Sequence, residues 1–180
     1  MNRKVTGAAV LAAAAGLAAG CSSTSTSTTT TSTGTQAIAG TVAGPAAVAS
    51  QASVPLRLHG LVNTTGSIKL ISNSSQKMAT ITTGQGNLAV SHTAGHTSTR
   101  LLSTKTCEFA VGVRATYTVL GDKSTGKFKD AKGSGNVTLL YTATLPKKSD
   151  GSCDTSSSAR PLPAHARVSF AAHGPLTIKH

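Results

Sequence analysis

Two stretches of the chain alternate residue by residue for long enough to decide its fold class. In CEFAVGVRATYTVL, Phe109, Val111, Val113, Ala115, Tyr117 and Val119 fall on one face, and Ala110, Gly112, Arg114, Thr116 and Thr118 on the other. GNVTLLYTATL repeats the pattern with Val137, Leu139, Tyr141, Ala143 and Leu145. Strand side chains point to opposite faces in turn, so this period of two predicts strands with one buried and one wet face. A helix needs apolar residues three and four apart, and no convincing run of that kind follows the N-terminal apolar segment.

The rest of the chain agrees. VPLRLHGLV alternates at Val54, Leu56 and Leu58, and SIKLIS alternates briefly before the turn-rich SNSSQ. KMATITT, GQG and NLAVSHT read as strand, tight turn and strand. ARVSFAAHGPLTIKH closes the chain with Val168, Phe170 and Ala172 in register. Thr and Val dominate, which suits a pleated, half-buried surface. The Ala/Gly-rich segment from Thr35 to Ser53 admits an irregular lead-in or a poorly packed strand. The expectation is an all-β domain: a single antiparallel β-barrel or β-sandwich of about seven to nine strands.

The N-terminus carries an address. Arg3 and Lys4 precede an apolar run, Ala8 to Ala19, and small residues lead to Cys21. Positive start, short apolar core and small-residue cleavage site form the pattern of an export signal. The run is shorter than the about 20 residues a membrane-spanning helix needs. Ala19-Gly20-Cys21 resembles the lipobox of bacterial lipoproteins, with Ala18 where that family usually has Leu. The resemblance implies that residues 1–20 are removed and that Cys21 is diacylglycerylated. Each buried methylene is worth about 0.8 kcal/mol, so two chains anchor stably where one is marginal. Twelve consecutive Ser and Thr residues follow, Ser22 to Thr33, with nothing apolar to build a core. Residues 21–34 are therefore expected to be a disordered, solvated tether and 35–180 one extracytoplasmic domain. The Ala/Gly/Thr-rich composition points to an actinobacterium-like envelope, with the domain on the outer face of the cell membrane.

Charge and cysteines narrow the partners. The chain carries +12 at pH 7; removing the signal takes Arg3 and Lys4 and no acid, leaving +10. A basic exterior outside a membrane meets anionic lipid headgroups and envelope polyanions. Nucleic acid is not expected, because the five aromatics do not interleave with the basic residues as a stacking platform requires. Cys107 and Cys153 remain beside Cys21, and an exported pair reads as a disulfide. Its loop of about 47 residues is worth on the order of 4 kcal/mol in the chain-entropy account.

Several motifs are chance matches. Gly121 to Lys127 fits GxxxxGK, but Phe128 stands where a magnesium-binding Ser or Thr belongs and no helix pattern follows. Ser124 and Lys127 fit SxxK without the partner elements that chemistry needs. His92 and His96 have a helical metal spacing but lie on a strand end and a turn, with no carboxylate or cysteine near in sequence. His59 and His173 sit in strands that could pair. Asp150 to Asp154 is expected to be a turn around the disulfide. No cofactor or metal site and no catalytic pair of carboxylates is legible.

A third match has the right setting. STGKF, Ala131 and Gly133 form STGKFxxAxG between the two best strands. This resembles the GGTGxFxxAxG motif of the allene oxide cyclase and dirigent barrels, differing at the first glycines. The resemblance implies a barrel with Phe128 and Ala131 packed inward. No positions match those families' catalytic residues. Lys123, Lys127, Lys129 and Lys132 make the same connection a candidate polyanion-binding patch, or a solvated loop that protects a sheet edge.

Two functional expectations result. The leading one is a non-enzymatic, membrane-anchored surface module that presents a basic, disulfide-closed β-domain to envelope polymers or partners. The alternative is a barrel that binds, or isomerises, a hydrophobic small molecule. Cavity size separates them: a large apolar cavity favours the second and a packed interior the first.

Overall fold

The computed structural model describes residues 29–48, 51–71, 78–93 and 95–180. The expected signal segment, Cys21 and most of the expected tether lie outside the described residues. The domain is an antiparallel β-barrel of eight strands with one extra strand. The strands are β1 (Thr31–Ala43), β2 (Gln51–Gly60), β3 (Thr64–Ile71), β4 (Met78–Thr83), β5 (Gly86–His92), β6 (His96–Ser103), β7 (Glu108–Val119), β8 (Lys132–Thr144) and β9 (Leu162–Lys179). Neighbours run β5-β4-β3-β2-β1-β9-β8-β7, and a β5–β7 ladder closes the ring.

β5 and β6 follow one course along β7. His92 pairs with Tyr117, and His96 pairs with Arg114. Between them the Thr93 N–H donates to Thr116 O (3.1 Å), and Thr93 Oγ1 accepts from the Thr116 N–H (3.2 Å). Only the β5 half closes the barrel, by three residue pairs. β6 projects beyond it at the end of the sheet order, with nearly every residue exposed.

The predicted alternation is observed. Tyr117 and Val119 are buried, as are Ala172, Phe170 and Val168 on β9 and Val54, Leu56 and Leu58 on β2. Thr, Ser, Lys and Arg alternate with them on the outer surface, the reverse of a membrane-spanning barrel, whose outer band is apolar.

The tether boundary needs correction. β1 begins at Thr31, inside the hydroxyl run, and Thr31 to Gly34 pair with Lys179 to Leu176 of β9. Backbone pairing needs no apolar side chain, Thr suits a strand, and Thr33 Oγ1 meets Thr177 Oγ1 at 2.8 Å. The Ala/Gly-rich segment that follows is the rest of β1, a 3-10 turn (Gly44–Val48) and the start of β2.

One end of the barrel is plugged. The β7–β8 connection runs beside β5: Thr125 N donates to Asn87 O and Lys127 N to Gln85 O, both 2.9 Å. Ser124 Oγ accepts from the Ala89 N–H (3.0 Å) and donates to Leu120 O (2.8 Å). This fixes Phe128 and Ala131 inside, both almost wholly buried. At the same end Gln36, 2% exposed, clamps the β2–β3 turn. Its Oε1 accepts from Val62 N (2.9 Å) and its Nε2 donates to Val62 O (3.0 Å) and His59 O (3.1 Å).

Candidate functional site

Away from the plug the interior is not filled. A half-enclosed cavity of about 220 Å³ occupies the barrel. Its origin is legible in one row of paired, inward residues. Ile38 lies beside Ala172, Ala172 beside Val137, and Val137 beside Ala115. Two of the four are alanines, which place little bulk in the middle of the barrel. Leu139 and Phe170 extend this wall, and Ile68, Ile81 and Val90 line the opposite side.

The β3–β4 ladder is short beside the cavity. β3 and β4 pair only from Gly66–Thr83 to Ile68–Ile81. Beyond Ile68, Lys69 and Leu70 bond to β2 and part from Met78 and Ala79, which bond to β5. These four residues line the cavity, and Lys69 and Met78 are exposed.

Among the lining side chains no Asp or Glu occurs, and two groups carry hydrogen-bonding atoms in from the β5–β7 seam. Tyr117 is 7% exposed and His92 half-buried, directly opposite each other. Every sealed side-chain nitrogen or oxygen of the described residues has a hydrogen-bond partner. Tyr117 lines the cavity, and its hydroxyl has no hydrogen-bond partner among the described residues. Burial raises its phenol above the ordinary 10.0, which keeps it a neutral O–H. His92 Nδ1 donates to Thr93 O at 3.2 Å. A carbonyl only accepts, so this contact requires a proton on Nδ1.

Neither residue stood out as a site in the sequence. In the sequence Tyr117 belongs to an alternating apolar stripe, and His92 is marked only by its spacing to His96. A signal was present in the alternation itself, which puts His92 on the same inward face as Val90 and Leu88.

The other candidates fall as follows. Cys107 and Cys153 form a disulfide, with Cα atoms 5.3 Å apart, and this fits an extracytoplasmic location. Lys123, Lys127, Lys129 and Lys132 are exposed at the plugged end, interspersed with Asp122 and Asp130. Basic residues elsewhere, among them Lys69, Arg100, Lys147 and Arg167, are exposed too, so positive charge is not confined to that connection. His59 and His173 do not sit on paired strands: both lie opposite Ala37, on the two sides of β1. No cluster of three metal-ligating side chains occurs among the described residues. The Asp150 stretch is a turn, with Asp150 Oδ1 accepting from Ser152 N (2.9 Å). Cys21 lies outside the described residues.

No protein-family model, curated protein or solved structure matches the chain.

Proposed function

We propose that this protein is a membrane-anchored, extracytoplasmic barrel that binds a small apolar molecule in its interior. The observation that carries the binding is the cavity: about 220 Å³, apolar and half-enclosed. An apolar cavity of about 150 Å³ holds benzene, so by proportion this one encloses about nine non-hydrogen atoms. That is smaller than the usual drug-sized pocket of about 300–1,000 Å³.

Three features support the anchored, extracytoplasmic part of the reading. They are the export-type N-terminus, the lipobox-like Ala19-Gly20-Cys21 and the disulfide. The lining offers no carboxylate to act as acid or base, which favours binding over isomerisation. The exposed lysines supply an affinity for anionic envelope surfaces alongside this role.

Native mass spectrometry of the chain purified from a secreting host, with organic extraction of bound material, tests the reading. A reproducible co-purifying apolar molecule, or one-to-one uptake of added propylbenzene, is expected. A chain that retains nothing and takes up no propylbenzene contradicts it.

A further inference from the structure

The β5–β7 seam brings two hydrogen-bonding side chains to the cavity. Tyr117 lines the cavity and carries a hydroxyl that can donate. His92 Nδ1 is committed to the Thr93 carbonyl, which leaves Nε2 as the ring nitrogen available to a ligand. They stand opposite each other on β5 and β7, where paired Cβ atoms lie about 4.5–5.5 Å apart. A hydroxyl group can accept from one and donate to the other at once. A carboxylate placed there would be desolvated beside no lysine or arginine of the lining on β5 or β7, since the lining lysine, Lys69, stands exposed on β3. The remaining lining is aliphatic or aromatic apart from the Met78 thioether.

We infer that Tyr117 and His92 form a recognition pair and that the ligand is a small uncharged apolar alcohol, its hydroxyl held between them. This rests on the cavity-binding reading above and adds the chemical class. Tyr117 donates to the ligand oxygen, and His92 Nε2 accepts the ligand proton. The hydrocarbon body lies against Leu139, Ile68 and Phe170.

Calorimetric titration of the chain carrying Cys21→Ser, which removes the acylation site, tests this with matched probes. They are propylbenzene, phenylpropanol, benzylacetone and phenylpropionate. Tyr117→Phe should weaken phenylpropanol and benzylacetone about five- to tenfold and propylbenzene less than about twofold. His92→Leu should weaken phenylpropanol by a similar factor and leave benzylacetone, which has no proton to donate, unchanged. Phenylpropionate should bind at least about tenfold more weakly than phenylpropanol. Equal losses for all probes, no loss for any, or tighter binding of the carboxylate overturns the recognition pair while leaving the cavity reading intact. Failure of propylbenzene to bind the unsubstituted cavity instead overturns the cavity reading itself. Retained propylbenzene affinity shows that a variant is folded.

Discussion

Tyr117 and His92 face each other across the three-residue ladder that closes the barrel, both with side chains on its inner face. The seam thus brings hydrogen-bonding side chains to the cavity as well as closing the barrel. β7 continues past it to pair with β6, and β5 ends there. Polar groups at such a position cost less than in the packed end, because the cavity keeps them within reach of water or ligand.

Alkaline titration follows from Tyr117. Burial raises its folded-state value above 10.0. Above the unfolded value the unfolded chain binds fewer protons than the folded one, so stability falls as pH rises through and beyond about 10. It is fully present below that value. The melting temperature followed from about pH 8 to pH 11 should drop less steeply in Tyr117→Phe than in the parent. Parallel curves would show that the phenol is not desolvated.

Gln36 holds the plugged end. Gln36→Leu keeps the volume but leaves the Val62 N–H and C=O without the side chain that satisfies both. Each orphaned buried group costs about 1–3 kcal/mol, so a loss of about 2–4 kcal/mol in urea unfolding is expected. A loss below about 0.5 kcal/mol would mean that the turn finds other partners.

The β7–β8 connection depends on a glycine. Gly126 has φ +59°, and a Cβ there would sit 2.4 Å from Gln85 O, the acceptor of the Lys127 N–H. Gly126→Ala should cost more than about 1 kcal/mol through strain and loosened pairing with β5. Gly84→Ala, in the nearby β4–β5 turn, meets nothing within 4 Å and should stay within about 0.5 kcal/mol. Similar urea midpoints for the two variants would contradict this contrast.

The disulfide joins the turn before β7 to the long β8–β9 connection, where Lys147 bridges to Cys153. Replacing Cys107 and Cys153 with Ser should lower stability by about 2–4 kcal/mol, chiefly by freeing the unfolded chain. An unchanged unfolding midpoint would mean that the native state already bore an offsetting strain.

The alternation of Phe109 to Val119 and of Val137 to Leu145 was enough to read an all-β fold and the inward face of two strands. Phe128 and Ala131 were legible as inward residues through the barrel motif they resemble, and Cys107–Cys153 by elimination. The start of β1 was not legible, because Thr31 and Ser32 look like tether and are ordered only by the distant strand that ends at Lys179. The cavity was not legible either. It arises because the alanines at 115 and 172 share a row that only closure brings together. His92 and Tyr117 were separated by 25 residues with no motif between them.

Ala172 offers the most direct test of the claim that the interior is a binding site. It is buried between Ile38 and Val137 in the cavity wall. Ala172→Leu adds apolar volume to the void without a new polar group. Propylbenzene titrated into the Cys21→Ser chain should bind one to one and saturably, and Ala172→Leu should weaken it at least about tenfold while keeping the melting temperature. Equal binding by both chains, or no binding by the parent, would contradict an interior site.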